Sequence, residues 1–400
     1  MKAVKKEIAI FIFISLFIVI GAASFSFPKL FVGRPYRIIR REESITEAIQ
    51  IVNSEINTRL RYHDYLMDAE SVITRLTGTK RIEKEDGEIV AIAKNDMLSG
   101  ASGELTNDEI SGAVRKISQL KTVSEKNGAD FLYIYAPEKN LDLELPASVD
   151  NYSVSNYNVF LKNLKEYNIP VLDLYAEKEN EGISVEEMFF ATDHHWKPES
   201  GFWATEKICR ELSDLYGFDY NKYYTNINNY NVKLYEKWFL GSQGKKVGTY
   251  FSPKSPDDIS LITPKFETSI SESQPFKEET RNGDFSQTVL YMENIECKDY
   301  YNLNSYAVYS GGDFRLQITK NNLAPNNSKI LIVRDSFACA VTPFLTLNCK
   351  ELHTVDMRDY DYYIGDKLNL KDYINQIKPD YVIVLYTGAG SSTDSRYDFF

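Results

Sequence analysis

Histidine and cysteine are both scarce in this chain, at four each in 400 residues. The cysteines stand at 209, 297, 339 and 349 and form no C-x-x-C pair, which excludes the usual spacing of a structural zinc site. Two readings stay open for them: disulfides in an exported protein, or free buried thiols. No internal repeat and no phosphate-binding glycine loop is present, so solenoid folds and P-loop chemistry are set aside. Positive charge is in short supply, with 46 Lys and Arg against 57 Asp and Glu and a formal net charge of -11. Phosphate binding needs concentrated positive charge, so nucleic acid is not the expected partner.

The hydrophobic fraction of 43% is enough for a sizeable core. The 28 Tyr and 22 Phe are many. Such rings stack on sugars where exposed, and serve as core or interface elsewhere. At the amino terminus Lys2, Lys5 and Lys6 precede an uncharged run from Ile8 to Phe27. About 20 such residues span a bilayer core as a helix, and lysines before them favour export of the rest of the chain. Gly21-Ala22-Ala23 keeps a cleaved signal peptide open as the alternative. Both readings place the bulk of the chain outside the cytoplasm, as a single-pass membrane protein or a released one.

Residues 1–28 are thus read as an anchor or signal segment and residues 29–84 as a helical stalk. Ser44-x-x-Glu47 matches a capping box, and Ile45, Ile49, Val52, Ile56 and Leu60 follow at helical spacing, predicting a helix to about Leu76. The segment from Ile82 to Asp96 is charged and holds the short apolar run Ile89–Ile92. Residues 85–400 form the third region. Helices are predicted from Asn107 to Lys126, from Val154 to Tyr167, from Pro198 to Tyr216, and over Ala338–Leu347. Apolar runs at Phe131–Tyr135, Val171–Tyr175, Lys329–Arg334, Leu352–Val355 and Tyr381–Leu385 read as short strands. Helices alternating with such strands imply an α/β fold with a central parallel sheet covered on both faces. Residues from about 220 to 309 break the rhythm and read as an insertion of loops and short strands.

Two of the four histidines stand together in Thr192-Asp193-His194-His195-Trp196, and a serine follows a predicted strand end in Arg334-Asp335-Ser336-Phe337. Asp, His and Ser are the parts of an activated-serine device. A serine hydroxyl is a weak nucleophile until an imidazole takes its proton, and a carboxylate fixes that imidazole's tautomer. Asp193 and His195, two residues apart in a loop, can form the acid–imidazole pair. In an open parallel sheet active groups gather at the carboxyl ends of strands, where Ser336 stands. The plainer reading of Asp335-Ser336 is a helix cap. A metal held by Asp193, His194 and His195 would need further ligands, and only His63 and His353 remain as imidazoles. No metal and no cofactor is therefore expected.

Asp193-His194-His195-Trp196 spells the signature of the DHHW proteins, which this chain resembles, within the broader alginate O-acetyltransferase-like group. Other blocks resemble that family in order: Tyr133–Asn140 with Leu145-Pro146, Ser255–Ile259, Tyr309–Asp313, Ile332–Ala338, Pro343–Leu345 and Val355–Arg358. The likeness covers about residues 85–386. It implies an SGNH-hydrolase-like three-layer α/β/α fold in which the Asp-x-His pair precedes the serine. It implies Ser336 as nucleophile, His195 as general base and Asp193 as its orienting acid. Gly312 or the residue after it is the implied oxyanion-hole position. There the chain departs from pattern, reading Gly312-Asp313-Phe314 where many relatives read Gly-Asn-His. An ionised Asp313 accepts hydrogen bonds and cannot donate one to an oxyanion. Arg334 stands where SGNH proteins often carry Gly, and Arg358 and Lys139 are read either as substrate contacts or as structural ion pairs.

The resemblance implies a membrane-anchored, extracytoplasmic O-acetyltransferase acting on a cell-surface polysaccharide, with a membrane-bound O-acyltransferase partner that exports the acetyl donor. An esterase with the same triad, and a non-catalytic component of a polysaccharide export complex, are the alternatives.

Overall fold

The computed structural model describes residues 63–84, 87–358 and 366–400. The apolar run Ile8–Phe27 and the first part of the expected stalk helix lie outside the described residues. Among the described residues no helix is long and apolar enough to cross a membrane. The chain divides into two units, Met1–Thr74 and Arg75–Phe400. The first is described only by helix α1, His63–Leu76, the end of the predicted stalk helix.

The second unit opens with a small antiparallel sheet of β1 (Arg81–Glu83), β2 (Ile89–Ile92) and β3 (Leu98–Ser99). Helix α2 spans Asn107–Lys126, with Thr106 rather than Asn107 as its N-cap. Thr106 and Glu109 form a capping box, satisfying donors that a helix start leaves open. Then follow β4 (Asp130–Ala136), α3 (Ser153–Glu166), β5 (Val171–Asp173), α4 (Leu174–Glu181), α5 (Val185–Met188) and α6 (Pro198–Tyr216). Pro198 sits in the first turn of α6, where its missing N–H costs nothing.

The segment expected as an insertion carries β6 (Tyr230–Phe239), α7 (Ser242–Val247), β7 (Asp257–Pro264), β8 (Ile270–Gln274), β9 (Glu279–Gly283) and α8 (Phe285–Thr288). The chain ends through β10 (Leu316–Asn321), β11 (Lys329–Arg334), a 3-10 turn over Ser336–Ala340, α9 (Thr342–Thr346), β12 (Glu351–Val355), α10 (Leu370–Ile377) and β13 (Tyr381–Thr387).

Eight strands form the main sheet in the order β5-β4-β13-β11-β12-β10-β8-β9. The first five run parallel. The last three are antiparallel, which corrects the expectation of a wholly parallel sheet. The reason lies in the supposed insertion. Its strands β8 and β9 form a hairpin that β10 joins to β12, while β6 and β7 pair only with each other.

The three-layer arrangement follows from the period-two alternation of the buried strands. In β11, Ile330 and Ile332 point into one core cluster and Leu331 and Val333 into the other. Helix α6 covers the first face through Phe202, Ala204, Ile208 and Leu212. Helices α2, α3 and α10 cover the second through Ile117, Leu120, Phe160 and Ile374 among others. All four cysteines are free thiols, with Cys209, Cys339 and Cys349 buried and Cys297 exposed.

Candidate active site

The parallel strands deliver their carboxyl ends to one edge. Strand β4 is followed there by Pro137–Asn140, β11 by Asp335-Ser336, and β13 ends at Thr387. Asp335 caps the 3-10 turn, its Oδ1 accepting from the Phe337 N–H at 3.0 Å. Its Oδ2 accepts from the Thr387 N–H at 2.7 Å and faces Arg396 Nη1 at 3.6 Å. The capping role expected of this dipeptide falls to Asp335. Ser336 is left free for another, and its own N–H has no acceptor among the described residues.

His195 stands between an acid and that serine. Its Nδ1 lies 2.5 Å from Asp193 Oδ1 and its Nε2 lies 2.7 Å from Ser336 Oγ. The arrangement fits Nδ1–H donating to the carboxylate and Nε2 accepting from the serine hydroxyl. Asp193 and His195 are both buried. Burial pushes the Asp193 carboxyl up, but His195 and then His194 outweigh it, and it stays well below the ordinary carboxylate range. The second oxygen, Oδ2, accepts from the Ser242 N–H at 2.5 Å at the start of α7. That contact depends on Gly241, where an added Cβ would lie 2.2 Å from the Asp193 Cβ. Packing then fixes the imidazole plane. Tyr306 stacks on it at 4.4 Å and 20°, and the His194 ring lies tilted against it at 3.9 Å. The Phe337 carbonyl accepts from Trp196 Nε1 at 2.9 Å and from the Tyr306 hydroxyl at 3.3 Å, tying the histidine loop to the serine turn.

The loop carrying Asp193 is held from below. Lys139 is buried, and its ammonium donates to the carbonyls of Phe190 at 2.8 Å, Ala191 at 3.3 Å and Asp193 at 2.7 Å. Three N–H groups thus meet three carbonyls. Burial pushes Lys139 down to about 7, against the pull of Asp257 and Asp193. Asp257, at the start of β7, accepts from the backbone N–H of Ala191 and Thr192. The Thr192 hydroxyl in turn accepts from the Gly241 N–H at 2.8 Å. Lys139 thus supports the loop that carries Asp193.

Asp313, the departure from the family pattern, pairs with two arginines. One oxygen meets Arg334 Nη1, and the other lies 3.0 Å from Arg358 Nη2. Arg334 is fully buried and also donates to the Gly312 carbonyl at 2.8 Å. Arg358 grips the buried Asp356 through Nε at 3.0 and 3.1 Å and through Nη2. Burial raises the Asp313 carboxyl, but Arg334, then Arg358 and His195, hold it below its ordinary range. An ionised Asp313 is thus neutralised by its own pairs. Arg334 and Arg358 both take part in this ladder. The Gly312 carbonyl also accepts from the Cys339 thiol at 3.3 Å, so the loop Gly312–Asp313 is pinned beside the serine turn.

Sequence reasoning had no role for Arg396 or Tyr306. Arg396 lies beyond the recognisable blocks, and nothing in a lone arginine of a tail marks it. Asp257 sat inside a recognised block, but its work is visible only when β7 is placed under the Asp193 loop. Asp193, His194 and His195 also offer ligand atoms within 4.8 Å of one another. Both ring nitrogens of His195 already face partners, so a metal there would have to break the Asp193–His195–Ser336 relay.

Residues 102–227 match the family described as SGNH hydrolase-like domain, acetyltransferase AlgX. No curated protein matches the chain significantly. The structure is similar to Bacillus cereus PatB1, with a TM-score of 0.63, 21% identity, and coverage of 78% of this chain and 100% of that one. PatB1 with a sulfonyl adduct gives 0.62, 20% identity and coverage of 78% and 99%. A DHHW family protein from Eubacterium siraeum gives 0.56, 16% identity and coverage of 77% and 92%. The chain has the SGNH-hydrolase-like α/β fold, with a mixed sheet, and it resembles both the DHHW proteins and, over residues 102–227, the SGNH hydrolase-like domain of the acetyltransferase AlgX.

Proposed function

We propose that this chain is a serine O-acetyltransferase that acetylates hydroxyls of a cell-surface polysaccharide. The observation that carries the proposal is the relay from Asp193 through His195 to Ser336, at 2.5 and 2.7 Å. In the first half-reaction Ser336 Oγ attacks the acetyl carbonyl of a donor ester while His195 Nε2 takes the hydroxyl proton. The donor's alcohol leaves with that proton, and acetyl-Ser336 remains. In the second half an acceptor hydroxyl gives its proton to Nε2 and attacks the acetyl group. Ser336 then leaves and recovers the proton. Asp193 holds the tautomer and stabilises the imidazolium in both halves. The Ser336 N–H, free of any acceptor among the described residues, is the oxyanion donor we assign. The Asp313 carboxylate is kept from opposing the oxyanion by Arg334 and Arg358. Export by the amino-terminal segment, and supply of the donor by a membrane-bound O-acyltransferase, belong to the same proposal.

The test is to incubate the protein with 4-nitrophenyl acetate, then digest it and find the acetyl group by mass spectrometry. Acetylation of Ser336, absent in Ser336→Ala and insensitive to chelators, is the expected result. Loss of activity on chelation would favour a metal at Asp193, His194 and His195. Surface acetylation that survives Ser336→Ala in cells would favour a non-catalytic role. Hydrolysis that no glycan acceptor diverts would favour the esterase.

A further inference from the structure

Beside the triad lies a cavity of about 220 Å3. At about 30 Å3 per water it holds roughly seven waters, the scale of one sugar ring. Three of its lining residues adjoin the relay. The His194 ring lies against His195, Phe337 follows Ser336, and the Thr387 N–H donates to Asp335. Three further lining residues come from the loop after β4, Glu138, Lys139 and Asn140.

The polar groups of this cavity differ in how far they are already engaged. The Asn140 amide donates to the Gly100 carbonyl at 2.9 Å, and the Gln243 amide, oriented to satisfy both its atoms, bonds Leu98 and Gly100. Lys139 spends its three donors on carbonyls. The Thr387 hydroxyl has no partner among the described residues. Glu138 is the one lining carboxyl among the described residues. Burial pushes it up, against Arg396 and a hydrogen bond from the Ala389 N–H. It is seated against Gly388, whose φ of +69° suits glycine and where a Cβ would lie 2.5 Å from Glu138 Oε1.

The cavity therefore offers a carboxyl, a hydroxyl and an aromatic ring and, among the described residues, no cation free to receive an anion. His194 cannot readily serve as one, because a second positive charge 3.9 Å from His195 would oppose the imidazolium formed in the reaction. A carboxyl and a hydroxyl suit the hydroxyls of a neutral sugar, whose apolar face can lie on the half-exposed His194 ring. A uronate would meet the Glu138 carboxyl with no cation left to pair it, since Arg396 is already paired with Asp394 and Asp335.

We infer that this cavity is the acceptor subsite, and that it takes a neutral hydroxylated sugar in preference to a uronic acid, with Glu138 and Thr387 binding its hydroxyls. The inference rests on the proposed acetyl transfer for its meaning but is tested by binding alone. The full chain carrying Ser336→Ala is titrated by calorimetry with cellotetraose, chitotetraose and tetragalacturonate. At least one neutral oligosaccharide is expected to bind ten or more times more tightly than the galacturonate. Adding Glu138→Ala is expected to weaken that binding about tenfold. Should Glu138→Ala fail to melt cooperatively, Thr387→Val serves in its place, with a loss of about threefold. Tighter binding of the galacturonate, no binding of either neutral sugar, or a dissociation constant indifferent to the substitutions overturns the inference. Failure of the transfer reading looks different: the wild-type protein forms no acetyl-Ser336 while the Ser336→Ala protein still binds the sugar.

Discussion

At the scale of single residues, the site works because both oxygens of Asp193 and both ring nitrogens of His195 are held by partners. Asp193 gives Oδ1 to His195 and Oδ2 to the Ser242 N–H, so the carboxylate cannot swing away from the imidazole. Asp193→Asn keeps the shape but presents an amide that can hold His195 in the wrong tautomer. The kcat for 4-nitrophenyl acetate is expected to fall by about 10^4 with the fold unchanged, as read by steady-state kinetics and circular dichroism. A loss of less than tenfold would mean that His195 does not act as the base. Asp313 makes a contrasting prediction, on stability. Arg334 is fully buried, so Asp313→Asn leaves a buried guanidinium short of its counter-charge and should destabilise the protein by about 3 kcal/mol at pH 7. The sign with pH follows from the depressed carboxyl. Its stabilisation is complete above the ordinary aspartate value of about 4 and is lost as pH falls through the lower folded-state value. The gap between wild type and Asp313→Asn in denaturant melts is therefore expected to be constant from pH 5 to 7 and to shrink below about pH 4. A gap that widens in acid would contradict an ionised Asp313.

At the scale of elements, the site is a loop, α5 to α6, laid against a turn, β11 to α9, with β4 and β7 beneath. Lys139 is where that support converges. Replacing it by methionine keeps the buried stem but leaves the carbonyls of Phe190, Ala191 and Asp193 without their donor. An unfolding measurement should show a loss of about 2–4 kcal/mol, the range expected when buried acceptors lose a charged partner. Ester hydrolysis should fall as well, since the Asp193 backbone is one of the three. A stable but inactive Lys139→Met would instead restore the reading of Lys139 as a substrate contact. These elements also show what a sequence makes legible. The helix over Asn107–Lys126 and the strand over Lys329–Arg334 were plain, because caps, apolar periods and uninterrupted apolar runs act locally. The pairing of β8, β9 and β10 was hidden. A strand such as Leu316–Asn321 alternates apolar and polar residues weakly, and its partners lie far away in sequence. The relay could be named from Asp193, His195 and Ser336. Its supports could not, because Asp257, Tyr306 and Arg396 matter only through distances that folding creates.

At the scale of the whole molecule, the proposed chemistry and the segment expected to reach a membrane fall in different stretches of the chain. The relay, the Asp313 ladder, the acceptor cavity and both large core clusters lie within the unit Arg75–Phe400. The segment expected to place the protein at a membrane lies before it, outside the described residues. A domain with its own core on both faces of a sheet needs no further segment to bury its apolar surface. A protein trimmed to residues 75–400 is therefore expected to melt cooperatively and to hydrolyse 4-nitrophenyl acetate within about threefold of the full chain. Three-fold is about 0.65 kcal/mol in the barrier, within what a distant truncation can cost. In cells the trimmed protein should leave the surface polysaccharide unacetylated even when exported by an unrelated signal, because a polymer at the membrane meets a diffusing enzyme at low effective concentration. Two results would revise this division. A trimmed protein that folds but hydrolyses nothing would mean that residues before Arg75 complete the site. A trimmed, exported protein that restores surface acetylation fully would mean that tethering contributes nothing, and that the active site alone finds both its donor and its sugar.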